Sequence, residues 1–228
     1  MSTIIEVRVG ASTDDAYRRL TADYWSLTNV ANPAGHGSVT AYQYGCGMRF
    51  LNITIPQGAT IDTAYMIFKS VYEDHGSIIK TRISAEDVDN AVTFADNSST
   101  FDTRWAARTT ARVDWDDIPW WDAAEQGADT TSPEIKTVIQ EVIDRDGWSS
   151  GNAIVIFWED FENRTGNYND ARRRAYSYDG SADDAPLIHI EYTYEAPSGW
   201  TGKFCGTTNP AKINGVAVAS IANVNGVG

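Results

Sequence analysis

Alternating apolar and polar residues predict short β-strands along most of the chain. In the first of them, Ile5, Val7 and Val9 alternate with Glu6 and Arg8, which is the period of a half-buried strand. Similar alternation, or a short apolar run, occurs at 48–55, 61–68, 78–83, 109–115, 153–158 and 187–194. Turn residues separate these segments, and residues 28–47 are so rich in small residues that we expect a long loop there, with room for one short strand. Strands at this spacing are typical of a β-sandwich or barrel.

One segment has helical periodicity instead and predicts an amphipathic helix over about 133–146. Ser132 is placed to cap its first turn, Pro133 suits the first helical position, and Gly147 is placed to end it. Its apolar stripe consists of Ile135, Val138, Ile139, Val142 and Ile143. This stripe is expected to pack on a sheet edge or to close one end of the sandwich.

The composition changes near residue 196, which predicts a β-sandwich body over 1–195 and a C-terminal docking or assembly tail over 196–228. From residue 204 onward the only charged side chain is Lys212, and the motif at 213–216 recurs at 224–227. Asn-Gly pairs between Val, Ile and Ala residues favour a small β-hairpin, with an extended arm as the alternative. The predicted assembly residues are Ile213, Val216, Val218, Ile221, Val224 and Val227. Such a tail either folds back on its own body or pairs with a neighbouring subunit or a capsid protein by strand addition.

Charge and composition then exclude several classes of partner. The chain of 228 residues carries a formal net charge of -13, which argues against binding to nucleic acids or anionic membranes. No stretch approaches the length of a transmembrane helix, and the N-terminus lacks the basic and apolar regions of a signal peptide. We therefore expect synthesis in the cytoplasm. Cys46 and Cys205 either form one bridge or remain two free thiols.

Tryptophans supply the first candidate binding site. Trp115, Trp120 and Trp121 flank Asp116 and Asp117, and flat aromatic rings beside polar groups are suited to stacking on sugars. The alternative is that Trp115 belongs to the core and that the following pair anchors a loop or an interface.

Aspartates supply a second candidate site, for calcium. Asp14 and Asp15 follow the first strand, while Asp179, Asp183 and Asp184 precede the last one. If these strand ends meet, their carboxylates could share one ion, whereas the alternative is an ordinary surface turn. No cofactor is required by any motif. The chain has no nucleophile elbow, zinc-protease motif or phosphate loop, so we expect a protein that is not an enzyme.

Resemblance to known families adds a function to this fold. The segments that carry it are 7–9, 12–15, 48–50, 55–61, 64–68, 89–91, 113–115, 133–153, 174–181 and 185–192. Together they resemble a carbohydrate-binding-like β-sandwich found beside secreted bacterial hydrolases, which implies an all-β, jelly-roll-like antiparallel fold. Residues 209–227 resemble the C-terminal tails of bacteriophage virion proteins.

These two resemblances lead to two functional hypotheses. The first is a structural or decoration protein on the outside of a bacteriophage-like particle, made in the host cytoplasm and located on the virion surface. Its partners would be further copies of itself, a capsid or tail protein, and host surface glycans. The second hypothesis is a carbohydrate-binding module, either with or without a bound calcium ion. A fold of this kind hosts many activities, so the fold alone does not choose between them.

Overall fold

The computed structural model describes residues 2–21, 23–37, 42–74, 79–166 and 170–195, together with four two-residue strands between 203 and 217. The chain divides into two compact units, Met1–Thr193 and Tyr194–Gly228. In chain order, the elements of the first unit are β1 (Ser2–Arg8), β2 (Asp15–Arg19), β3 (Tyr24–Ser26), β4 (Ala31–His36), β5 (Gln43–Ile53), β6 (Thr60–Ile67), β7 (Ile79–Ala85), α1 (Ser98–Ala106), β8 (Val113–Ile118), α2 (Lys136–Ile143), β9 (Asn152–Glu159), β10 (Arg172–Tyr176) and β11 (Leu187–Thr193).

Two antiparallel sheets form the first unit, which confirms the predicted all-β sandwich. The smaller sheet has the order β1-β11-β6, and the larger one has the order β10-β4-β5-β9-β7-β8, with β2 paired to β3 and β5. Apolar side chains from both sheets meet in one core, which includes Met66 and Ile190 from the smaller sheet and Met48 and Ile156 from the larger. The buried stripe of α2 joins the same core.

A second apolar cluster covers the opposite face of the larger sheet. Phe101 of α1 packs there against Phe157 of β9, with ring centroids 5.4 Å apart. Because β9 is covered on both faces, its side chains from Ala153 onward are all buried. This double burial explains why its sequence is continuously apolar instead of alternating.

The prediction of a long loop with room for one short strand at 28–47 is wrong in extent, because β4 and the start of β5 occupy most of the described part of this segment. The small residues of this segment serve close packing within the sheet. A Cβ atom at Gly45 would lie 2.5 Å from Glu159 Cβ, and one at Gly47 would lie 2.6 Å from the Phe94 ring. Glycine in a strand often marks such a close approach.

The sequence-predicted helix is present as α2, but it is shorter than expected and begins differently. It starts at Lys136, and Ser132 does not cap it. Instead, the Ser132 hydroxyl accepts a hydrogen bond from Met66 N at 2.9 Å, so this residue pairs with the edge of β6. The sequence did not predict α1, whose first turn is capped by the Asn97 side chain. Neither helix that the structure describes is long and apolar enough to cross a membrane.

The second unit contains two short antiparallel ladders. β12 (Lys203–Phe204) pairs with β13 (Thr207–Thr208), and β14 (Lys212–Ile213) pairs with β15 (Val216–Ala217). Ile213 pairs with Val216, so two of the six predicted assembly residues face each other across a ladder. Val218, Ile221, Val224 and Val227 lie outside the described residues, as does Cys205. Cys46 is a buried free thiol.

Candidate functional site

A cleft of about 450 Å³ lies at the C-terminal end of β8. Its lining residues include Asp117, Ile118, Pro119, Trp120 and Arg173. Trp120 is 63% exposed, which makes it one of the most exposed large apolar side chains that the structure describes. A flat, largely exposed ring beside a cleft of this size is a candidate ligand-binding feature.

A β-bulge shapes the backbone of this cleft. Ile79 pairs with Ile118 and Lys80 pairs with Asp116, so Asp117 is the extra residue on β8. Asp117 has a φ of +55°, in the left-handed region that aspartate tolerates better than most residues. Bulges bend a strand and redirect the side chains that follow. Pro119, which has no N–H to donate, then ends the strand.

Arg173 of β10 holds this bent segment in place. Its side chain is fully buried, and Nε donates to Pro119 O at 2.6 Å while Nη2 donates to Ile118 O at 2.8 Å. Nη1 donates to Arg172 O at 2.9 Å. Burial lowers the pKa of Arg173, and the negative charge of Asp74 opposes that effect. The guanidinium therefore acts as a rigid clamp between β10 and the carbonyls behind the cleft.

Two of the three tryptophans predicted to bind sugar do not face solvent, and the prediction is wrong for them. Trp121 is 0% exposed and Trp115 is 6% exposed. Their rings lie 6.3 Å apart in a cluster with Phe68 and Trp158. These rings fill the sandwich core, so a sugar cannot stack on them.

The neighbouring Trp120 points the other way because the chain is extended at this point. Trp121 pairs with Asp74 in an antiparallel bridge, in which Asp74 N donates to Trp121 O at 2.9 Å. Successive side chains alternate in extended backbone. Trp121 Nε1 donates to Asp129 O at 2.9 Å, which fixes the buried ring. The buried tryptophan thereby anchors the segment that carries the exposed one.

The five predicted calcium ligands do not form a metal site. Asp14 is ion-paired with Arg49 at 2.7 Å, and Asp184 is ion-paired with Lys69 at 3.0 Å. The two strand ends do meet, since Ser12 Oγ donates to Asp179 Oδ1 at 2.8 Å.

Asp15 and Asp183 do not contribute to a calcium site either. Burial is the main cause that raises the pKa of Asp15 to about 7, so its carboxyl is a poor ligand at lower pH. Asp183 is exposed. Among the residues that the structure describes, no group of three or more acidic, histidine or cysteine side chains could hold a metal ion.

Other carboxylates near the tryptophans are used in ion pairs or are buried. Arg164 pairs with Asp114 and with Asp116, each at 2.8 Å. Burial raises the pKa of Glu159 to about 7. Glu162 forms ion pairs with three arginines, Arg82, Arg108 and Arg112. These contacts tie the strands and the loop after β9 together.

Arg173 is the cleft residue that the sequence analysis missed. A signal for it was present, because Ala171 and Ala175 lie two positions away on either side, in the alternating pattern of a buried face. The neighbouring arginines, Arg172 and Arg174, obscured that pattern. A buried arginine with carbonyl partners depends on the fold of β8, which local sequence does not reveal.

Comparison with known proteins adds no further guide to this site. No family model matches the chain, and no curated protein matches its sequence. Inferences about function therefore depend on the geometry of the cleft and on the chemistry of its residues.

Proposed function

We propose that this β-sandwich is a non-enzymatic glycan-binding module and that the Trp120 cleft receives a neutral sugar. The observation that carries the proposal is the largely exposed indole of Trp120 on a segment fixed by Arg173 and Trp121. The apolar face of a sugar ring packs well on such a flat surface. Because the backbone on either side of the ring is already held in place, little backbone entropy is lost when a ligand binds.

Polar groups at the cleft favour a neutral sugar over an acidic one. Asp117 is exposed at the rim, and a carboxylate accepts hydrogen bonds from sugar hydroxyls. Arg173 directs three of its nitrogens to backbone carbonyls, so it is mainly a structural cation here. An acidic sugar would meet the Asp117 carboxylate at the rim of the cleft.

Affinity electrophoresis in gels that contain soluble neutral polysaccharides tests this proposal. Wild type should be retarded by at least one glucan, mannan, xylan or galactan, and Trp120→Ala should lose that retardation. Trp120→Phe keeps an aromatic face and should retain part of it. Ile4→Ala is the matched control, because Ile4 is 58% exposed on β1 of the other sheet. Unchanged migration in every gel, or equal retardation of wild type and Trp120→Ala, would refute the proposal for this cleft.

A second proposal concerns the C-terminal segment, which we propose as an assembly element of a bacteriophage-like particle surface. The observation that favours it is the β14–β15 ladder, which joins Ile213 and Val216 in a nearly uncharged segment. Short strands of this kind are suited to pairing between subunits. Glycan binding by the sandwich and assembly through the tail are compatible in one protein.

Light scattering tests the assembly proposal. The full chain should have the mass of a defined homo-oligomer, and a version that ends at Pro197 should be a monomer. A monomer in both forms would count against self-assembly through the tail.

A further inference from the structure

A cluster of tyrosine and arginine side chains lies where β2 pairs with β3 and β5, and no part of the proposed cleft includes it. Arg19 of β2 lies opposite Tyr24 of β3 and opposite Tyr44 of β5. Cross-strand neighbours share one face of a sheet. The tyrosine–arginine cluster consists of Tyr17, Arg19, Tyr24, Tyr42, Tyr44 and Arg172.

The four tyrosine rings support one another edge to face. Tyr17 lies 5.0 Å from Tyr24 and 5.9 Å from Tyr44, measured between ring centroids. Tyr42, just before β5, lies 6.4 Å from Tyr44. Tyr44 is buried, whereas Tyr24 is 39% exposed, so the cluster extends from the protein interior to the surface. Rigid aromatic groups of this kind are common at binding surfaces.

Arg19 is held between two of these rings. Its guanidinium carbon lies 4.3 Å from the Tyr42 centroid and 5.3 Å from the Tyr24 centroid. Its Nε donates to Thr21 O at 3.1 Å. Within the described part of the chain, its two terminal nitrogens make no hydrogen bond and its charge has no carboxylate partner.

The neighbouring arginines differ from Arg19 in this respect. Arg18 pairs with Asp23 at 2.8 Å and with Asp102 at 2.7 Å, and Arg172 pairs with Asp170 at 2.9 Å. The chain as a whole has 31 acidic residues against 18 basic ones. Although the protein has so many carboxylates, none among the described residues pairs with Arg19, whose two terminal nitrogens lie beside the exposed Tyr24 ring.

We infer that the tyrosine–arginine cluster binds the carboxylate of a hexuronic acid unit in an acidic polysaccharide, with Arg19 as the anion-binding group. The guanidinium fork matches a carboxylate in a bidentate arrangement. The exposed Tyr24 ring provides a flat surface for the sugar ring, and its hydroxyl can donate to a sugar hydroxyl. Charge is screened beyond roughly 8 Å at physiological salt, so a local cation outweighs the distant acidic surface.

This second site does not depend on the binding of a neutral sugar at Trp120. Titration calorimetry of the full chain with hexuronic acid oligomers, and with the same oligomers as methyl esters, tests it. The ester is the matched ligand control because it keeps the sugar ring and removes the charge. Binding of the acid form should weaken at least tenfold, by about 1.4 kcal/mol, in Arg19→Gln and in Tyr24→Ala.

Of three further variants, two separate this site from general electrostatics and from the cleft. Lys136→Gln removes one positive charge from an exposed position on α2 and should bind the acid oligomers like wild type, as should Trp120→Ala. Arg19→Lys keeps the charge without the fork and should bind with intermediate affinity. Equal binding of wild type and Arg19→Gln, equal binding of acid and ester, equally tight binding of polyglutamate, or no binding of the acid oligomers would each overturn the inference.

Discussion

Asp15→Asn is expected to stabilise the protein at pH 8 and to have much less effect at pH 5. Asp15 is 1% exposed, and its Oδ2 accepts hydrogen bonds from Asn32 Nδ2 at 3.0 Å and from Tyr178 N at 2.8 Å. An asparagine can keep one oxygen in the same place for both donors. It carries no charge, so the cost of burying a carboxylate disappears.

The magnitude follows from the pKa of Asp15. Burial is the main cause that raises the pKa from 3.8 to about 7, and nearby Asp179 and Asp14 add to it. A raised pKa in the folded state means that folding is favoured while the group is protonated. The contribution is therefore complete below pH 3.8 and is lost as the pH rises through about 7. At about 1.4 kcal/mol for each pKa unit, ionisation of Asp15 lowers the free energy of unfolding by at most about 4 kcal/mol.

Urea unfolding of wild type and Asp15→Asn at pH 5, 6, 7 and 8 measures this effect. Between pH 5 and pH 8, wild type should lose about 2 to 3 kcal/mol more unfolding free energy than the variant. Glu159, which also has a pKa of about 7, changes both proteins alike and cancels in the comparison. Asp183→Asn is the control, since it removes the same charge from an exposed position and should follow wild type. Parallel pH profiles for wild type and Asp15→Asn would refute the reasoning.

Three other substitutions test the packing around the cleft, each by urea unfolding at pH 7. Arg173→Met leaves the carbonyls of Ile118 and Pro119 without these donors and should lower the free energy of unfolding by about 3 kcal/mol. A decrease of less than about 1 kcal/mol would contradict the role of Arg173 as a clamp. Trp121→Ala should lower the free energy of unfolding by about 3 to 5 kcal/mol, whereas Trp120→Ala should lower it by less than about 1 kcal/mol. Equal decreases would contradict the finding that Trp121 is buried and Trp120 is exposed. Gly47→Ala places a Cβ 2.6 Å from the Phe94 ring and should cost about 1 to 3 kcal/mol, so a neutral result would show that the ring yields easily.

The sequence predicted those elements whose periodicity is set by one buried face. The alternation around Val7 and the stripe around Ile139 both correspond to observed elements, β1 and α2. In contrast, β4 contains Pro33 and Gly35, which locally favour a loop. The ladder between β4 and β5 is limited to Gly35 and His36. Pro33 pairs only with β10, so the side of the strand that faces β5 needs no N–H donor at this position.

Helix α1 could not be predicted from periodicity because its stabilising contacts are mostly long-range or polar. Phe101 and Trp105 are the two large apolar residues of α1. Arg104 forms a buried pair with Glu86 through two hydrogen bonds, of 2.9 and 2.6 Å. A bidentate pair of this kind depends on where β7 ends, which α1 itself does not specify.

The candidate site was predictable only in part for a similar reason. Two adjacent tryptophans in an extended segment must point in opposite directions, so one buried and one exposed ring could be expected. Which of them is buried depends on the bridge between Trp121 and Asp74, a contact between residues far apart in the sequence. The tyrosine–arginine cluster likewise requires the pairing of β2 with β5, and β2 was not predicted from the sequence.

Fluorine NMR of the protein labelled with 5-fluorotryptophan tests the central claim, that Trp120 is the glycan-binding ring. The Trp120 resonance is assigned by its loss in Trp120→Phe, and the signals of buried Trp115 and Trp121 serve as internal references. With a neutral oligosaccharide that retards the protein in gels, the Trp120 signal should shift saturably while both references stay in place. A constant Trp120 signal while the sugar binds elsewhere, or a shift of all three signals together, would contradict the account.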